Sequence, residues 1–384
     1  MSTLKVNKIE NTATSDGGIA IDSTGHVQLD GVQLPTTGQL SNRNIVTNGA
    51  MTVSQRSTSE TGQTSLDAYV TVDRFRIQLN SSGTFTISQS TEAPDGFANS
   101  LKFDCTTADA SPNYLVVFQD LEGQDLQHIQ KGKSTAQKLT ASFYVRSSKT
   151  GTYQVNLRDL DNTRLVGASY SISSANTWEY KTVTFAADTT GQLGNDNGGS
   201  LRIEWWLAAG SDYSGGTMPT AWEALANTDR AAALNVDIGT STSDDFYITG
   251  VQLELGDKAT PFEHRSFGDE LARCQRYFRR FCEGTSFASA PSCGIGTGST
   301  NAYHNVKLSP EMRAVPTLAD FSNLRTDDVT GGQAITALTV ASTMSSTESV
   351  QLSATSSSGL TQYRPYMLLA NNTSSAKLDL TAEL

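Results

Sequence analysis

The sequence predicts an all-β protein interrupted by one helix, and three observations carry that reading. Ser, Thr, Gly and Asn are abundant, while charged residues make up only 17% of the 384-residue chain. That balance favours strands joined by polar turns. Apolar residues alternate with polar ones in many short runs, the pattern of half-buried strands. Only Ser266 to Phe281 places apolar side chains at helical spacing, with Phe267, Leu271, Cys274, Phe278 and Phe281 on one face. The predicted architecture is an N-terminal fibrous strand segment, a large antiparallel β-sandwich or jelly roll, one linking helix and a small C-terminal β domain.

Residues 1–41 form the first segment. Leu4, Val6 and Ile9 begin a strand, and Ile19 with Ile21, then Val27 with Leu29, alternate around Gly17, Gly18 and Gly25 before Gly31 and Pro35. Strands this small cannot enclose a core alone. Three copies wound together can, each supplying one wall; otherwise the segment is a flexible tail, which its composition also fits.

Residues 42–265 read as one domain of about ten strands with turn clusters between them. Phe75, Ile77 and Leu79 alternate, as do Phe85 and Ile87, and Cys105 continues the face of Leu101 and Phe103 as a buried thiol. Leu139, Ala141, Phe143 and Val145 share a face opposite Thr140, Ser142, Tyr144 and Arg146. Tyr153, Val155 and Leu157 follow, then Val183 and Phe185, then Leu201, Ile203, Trp205 and Leu207. Leu234, Val236 and Ile238 precede Phe246 and Ile248.

Residues 266–284 form the linking helix. Ser266 with Asp269 suits a reciprocal cap at its start. Its polar positions hold Arg273, Arg276, Arg279 and Arg280, which meet solvent or the carboxylates of a neighbouring chain. Residues 285–384 open with a Gly/Ser/Pro connector over 286–299. The strands after it carry Val306 and Leu308, then Ile335, Leu338 and Val340, then Val350 and Leu352, then Tyr366 to Leu369, and finally Leu378, Leu380 and Ala382. Pro310, Arg313 and Pro316 mark a turn or sheet edge.

Chemistry is excluded more readily than assigned. The net charge of −11 repels phosphate backbones, so nucleic acid is not an expected partner. No run of about 18 apolar residues marks a membrane span. The N-terminus lacks the apolar core of a signal peptide, so synthesis in a bacterial cytoplasm is expected. Cys105, Cys274, Cys282 and Cys293 lack zinc-like spacing. Neither a Gly-x-Ser-x-Gly elbow, a His-Glu-x-x-His motif nor a phosphate-binding Gly-rich loop occurs, and His26, His128, His264 and His304 are scattered, so no enzyme is predicted. Aromatic residues are the better candidates. Trp206 alternates with Arg202 and Glu204, away from Trp205. A ring beside an Arg and a Glu can stack on a sugar while the charges bond its hydroxyls; the same ring can instead face a neighbouring subunit or a covering loop. Tyr144 and Arg146 repeat the pattern on another strand, and Tyr213 belongs to a loop.

Several motifs together resemble bacteriophage tail-fibre proteins of the marine and cyanophage type. They are "STLKVNKIE" with "GGIAIDSTGHVQLDG", "LELG…ATPFEHR", "ELARCQRYF", "VKLSPEMRAVPTL" and the terminal "LDLTAEL". "NRNIVTNGAM" and "DFYITGVQLELG" resemble the first and last strands of carbohydrate-binding-type jelly rolls. The latter resemblance implies that Ile45 and Val46 lie beside Phe246 to Leu253. It also implies a structural calcium where those strands meet, with Asp244, Asp245 and Asn48 as oxygen ligands or, alternatively, as a solvated turn; no other cofactor is expected. The fibre resemblance implies a homotrimer in the virion, docked through its N-terminus on phage tail or capsid proteins and recognising a host surface glycan or receptor. Tyr303, Tyr363 and Tyr366 are then the receptor-contact candidates beyond the helix. The alternative is a head fibre, decoration or adaptor protein with a purely structural role.

Overall fold

The computed structural model describes residues 8–10, 18–21, 25–29, 32–34, 40–328 and 330–384. The expectations placed on Leu4, Val6, Gly17, Gly31 and Pro35 lie outside them. The chain is nearly all β. It divides into two compact units, Met1–Ser266 and Phe267–Leu384.

The first unit is an antiparallel sandwich whose two sheets share one strand. One sheet runs through Glu179–Phe185, Leu139–Ser147, Asp245–Leu255 and Ser100–Thr107 to the second half of Arg76–Ser90. The other runs from the first half of Arg76–Ser90 through Tyr114–Glu122, Gly199–Ala209, Gly151–Asp159 and Arg164–Ile172 to Glu223–Ala224. Arg76–Ser90 passes between them because Arg76 to Asn80 pair with Tyr114–Glu122, whereas Thr84 to Ser90 pair with Ser100–Thr107. The bend falls where Ser81 (φ 43°) and Gly83 (φ 98°) leave extended conformation. A side chain at Gly83 would stand 2.6 Å from the Thr107 carbonyl oxygen, so only glycine fits. Ser59–Tyr69 pairs with the shared strand along both halves.

Alternation places one face of each sheet in the core. Phe143 from the first sheet meets Trp205 from the second edge to face at 5.7 Å, and Tyr170 at 5.0 Å. Burying side chains of this size contributes roughly 1.5–3 kcal/mol each. The first and last segments lie together as implied. Ile45 N–H donates to the Leu253 carbonyl at 2.9 Å, and Val251 N–H to that of Gly49 at 2.9 Å. Residues 42–51 form no regular strand, however. The Asn44 amide supplies the missing ladder bonds, accepting from Val46 and Leu253 N–H and donating to the Val251 carbonyl.

Two other departures in this unit and its neighbour have physical reasons. Leu234, Val236 and Ile238 do not form a strand; irregular backbone bonds to Thr152 and Leu207 hold the segment over the second sheet. The helix spans only Phe267–Gln275, not 266–284. Phe278–Phe281 is a strand paired in register with Lys377–Thr381, and Arg280 forms a bidentate ion pair with its cross-strand partner Asp379 at 2.8 and 2.7 Å. Arg279 donates to the Ser309 and Pro310 carbonyls. Pairing with a segment about 100 residues away overrides local periodicity, and it engages two of the arginines assigned to solvent or a neighbouring chain.

In the second unit Lys377–Thr381 lies between Phe278–Phe281 and Thr317–Ser322. Six more strands close a barrel: Ser292–Gly296, Asn301–Lys307, Ser349–Ser356, Gly332–Val340, Leu324–Asp327 and Pro365–Ala370. The expected connector over 286–299 therefore contains a barrel strand. None of the four cysteines forms a disulfide, and Cys293 is exposed.

Candidate functional site

The outward face of the first sandwich sheet carries the candidate site. Ala141, Phe143 and Val145 point into the core, so Ser142, Tyr144 and Arg146 point out. By the same alternation Tyr180 and Thr182, Tyr247 and Thr249, and Lys102 and Asp104 share that face. Register then builds two rows. Tyr180 lies opposite Tyr144, with ring centroids 4.9 Å apart. Arg146 lies opposite Tyr247, which lies opposite Lys102. The Arg146 guanidinium and Lys102 ammonium approach the Tyr247 ring at 4.8 and 5.5 Å from opposite sides, and Trp178 meets it edge to face at 6.0 Å.

A loop completes the aromatic surface. Phe97 packs on Tyr144 (5.5 Å), Phe262 (5.0 Å) and His264 (5.2 Å). It can approach because Gly250, at a break in strand register, has φ 62° and no side chain. A Cβ there would lie 2.8 Å from Phe97 and 3.0 Å from Tyr144.

The cations are held in place. Lys102 Nζ lies 3.0 Å from Asp104; burial opposes its charge, but Asp104 and Tyr247 outweigh burial and raise its pKa. Arg146 donates from Nε to the Asn176 carbonyl and lies 4.0 Å from Asp245. Burial raises the Tyr180 phenol, partly offset by a bond with Ser142, so Tyr180 is neutral at pH 7. Tyr180 is 46% exposed and His264 is exposed, Trp178, Tyr144 and Phe97 are half-buried, and Tyr247 is buried between its two cations. Such a surface can stack on the C–H face of a polar ring while bonding its hydroxyls.

The second sheet carries most of the other sequence candidates, and there the expectation of an open sugar platform is corrected. Trp205 and Trp206 do occupy opposite faces, but both are buried, Trp206 to 1% exposure. Residues 210–234 cover Trp206. Within them Tyr213 stacks on it at 5.1 Å and Arg230 lies 4.7 Å from its ring. Glu204 is fully buried beneath the same cover. It accepts from Arg230 at 3.1 and 2.9 Å, from Asn156 at 3.0 Å and from Trp206 Nε1 at 3.0 Å. Burial alone would raise its carboxyl pKa, yet Arg230 and Arg158 hold it well below the usual range. Arg202 is spent on a bidentate pair with Asp120 at 2.6 and 2.9 Å. A Trp, an Arg and a Glu chosen for a sugar serve as a sealed polar layer.

The calcium candidates are engaged by protein groups. Asp244 accepts from Lys149 and from Gly239 and Ser241 N–H, Asp245 from Ser148 N–H, while the Asn48 amide bonds Val53 and Asp73. Among the described residues no three His, Cys, Asp or Glu side chains gather as a metal site. In the barrel Tyr303 and Tyr363 are exposed, but Tyr366 is buried and its hydroxyl accepts from Thr361 N–H. Of the sequence candidates, only Tyr144 and Arg146 lie on the open aromatic face. Trp178, Tyr180, Tyr247 and Lys102 were missed, although "TWEYKTVTF" shows the required alternation; nothing local marks Phe97, Phe262 or His264.

No protein-family model matches the sequence, and no curated protein matches it. Among solved structures, the chain is similar to the enzymatically active domain of bacteriophage CBA120 tailspike protein 4, at 14% identity and a TM-score of 0.30. That match covers 55% of this chain and 21% of the other, so this chain spans about a fifth of the tailspike's length. It is also similar to TmCBM61, solved with β-1,4-galactotriose, at 9% identity and a TM-score of 0.28 over 56% of this chain and 99% of that one. A family 11 carbohydrate-binding module from Clostridium thermocellum, in complex with a mixed-linked tetrasaccharide, matches at 11% identity and a TM-score of 0.26, over 53% and 99% of the two chains.

Proposed function

We propose that this chain is a non-catalytic glycan-binding protein of a phage particle, a fibre whose sandwich contacts sugars of the host surface. One observation carries the glycan reading: an exposed Tyr180 and half-buried Trp178, Tyr144 and Phe97 line a sheet face beside cations whose positions are fixed by Asp104, Asn176 and Asp245. The fibre assignment is supported by the sequence motifs that resemble tail fibres. Screening the full-length chain on a glycan array tests the reading. Binding that falls at least tenfold in Tyr180→Ala and Trp178→Ala, with folding unchanged, is the expected result. Undiminished binding in both variants would move recognition elsewhere.

A second location is favoured by Tyr363, which is 76% exposed and holds a left-handed backbone (φ 67°) that bulky residues seldom adopt. If Tyr303→Ala/Tyr363→Ala abolishes binding while the sandwich variants do not, the barrel makes the contact. If no glycan is bound by any form, the purely structural role gains.

A further inference from the structure

The rings of the candidate face form a continuous row. Tyr180 meets Tyr144 at 4.9 Å, Tyr144 meets Phe97 at 5.5 Å, and Phe97 meets His264 at 5.2 Å. Tyr180 and Tyr144 are cross-strand partners on Glu179–Phe185 and Leu139–Ser147, and Phe97 reaches Tyr144 over Gly250 of the next strand, Asp245–Leu255. The row therefore crosses the strands rather than following one. Tyr180 and His264 at its two ends are exposed, and Tyr144 and Phe97 between them are half-buried. A pyranose is similar in size to one of these rings, so three successive ring-to-ring steps exceed a single sugar. The charges beside the row are balanced pair by pair. Lys102 lies 3.0 Å from Asp104, Arg146 4.0 Å from Asp245 and, next to His264, Arg265 3.6 Å from Glu263. Glu92 and Asp95, exposed on the loop that carries Phe97, add negative charge.

We infer that this face selects a neutral oligosaccharide, longer than one sugar and laid across the strands, and rejects acidic glycans; the inference rests on the glycan reading above. A carboxylate or sulfate on a sugar gives up hydration on entering the face, and that loss is recovered only where a cation can pair with it. Here it would compete with Asp104, Asp245 and Glu263 for cations they already hold. It would also meet the repulsion of Glu92, Asp95 and a chain of net charge −11. Sugar hydroxyls meet no such penalty. The Lys102 ammonium and the Arg146 guanidinium carry more N–H donors than their carboxylates engage, so a paired cation still serves a neutral ligand. The ring faces supply the stacking, which needs no charge on the sugar.

The test is an array probed with the full-length chain and printed with neutral hexose disaccharides and tetrasaccharides and with uronate tetrasaccharides. Neutral tetrasaccharides should bind at least tenfold more tightly than the matching disaccharides and than the uronates. His264→Ala, at the exposed far end of the row, should bring tetrasaccharide binding down to the disaccharide level. Asp104→Asn, which leaves the Lys102 charge without its carboxylate, should raise uronate binding relative to neutral binding at least fivefold. Preferential uronate binding that is lost in Tyr180→Ala overturns the inference and leaves the glycan reading standing. Equal binding of disaccharide and tetrasaccharide through Tyr180 does the same. If no glycan of any class binds, the glycan reading falls and the inference falls with it.

Discussion

The two outward faces of the sandwich use the same kinds of residue and arrive at opposite ends. On the second sheet Trp206, Tyr213, Arg230 and Glu204 lie under residues 210–234, and each polar atom of Glu204 is satisfied by the chain itself. On the first sheet Trp178, Tyr144 and Arg146 are only half-buried, with Phe97 packed on Tyr144, and Tyr180 is 46% exposed. Alternation decides only which way a side chain points. What lies above it decides whether an aromatic beside a charge becomes a structural network or a binding surface.

The largest expected effect breaks the sealed face. Glu204→Ala leaves Arg230 and Arg158 buried without their carboxylate and should destabilise the sandwich by about 3–5 kcal/mol in urea unfolding. Glycan binding per folded molecule should not change. If binding disappears while the protein stays folded, the two faces are not separate in function.

A milder effect distinguishes a buried charge with partners from a buried titratable group that lacks them. His304 lies inside the barrel with Thr326 at 3.1 Å from Nε2, Nδ1 has no partner, and burial pushes its pKa down to about 4. Below pH about 6.5 the unfolded chain takes the proton first. Barrel stability should therefore fall as pH drops from about 6.5 to about 4, by roughly 3 kcal/mol at the lower end. Glu204 has its pKa depressed, so its contribution is constant over most of that window and is lost only in stronger acid. Unfolding followed by separate probes of the two units should show acid sensitivity first in the barrel, and His304→Leu should remove it. Equal sensitivity in that variant would assign the effect to other groups.

Gly250→Ala tests how the open face is built. It places a Cβ in a positive-φ site 2.8 Å from Phe97, and should cost about 1–3 kcal/mol while displacing that ring. Reduced glycan binding is expected alongside. The smallest stability change belongs to Tyr180→Ala, within about 0.5 kcal/mol as for other surface changes, although its binding loss should be at least tenfold, or about 1.4 kcal/mol. Calorimetry on the two variants would separate support of the face from contact with the sugar.

Much of the fold was legible because strands announce themselves by a period of two. Phe143, Tyr153, Trp205 and Phe246 were each assigned to the side on which they lie. The helix was overextended because Phe278 and Phe281 continue its spacing, while the strand that captures them ends the chain. Half of the open face was likewise readable in Tyr144 and Arg146, and the "TWEYKTVTF" alternation held Trp178 and Tyr180 in plain view. Phe97, Phe262 and His264 come from irregular segments, where no period exists to read.

By itself the sequence determined the all-β class, the separation of Trp205 from Trp206 and the apolar strands of the N-terminal sheet, since each follows from local alternation and turn chemistry. Only the tertiary structure decided which polar face is sealed. Whether residues 210–234 fold back over Trp206, or Phe97 settles on Gly250, depends on packing between segments far apart in the chain. Local periodicity carries no information about such long-range cover, because the energy that selects it comes from burial and paired charges that exist only once the sheets have formed.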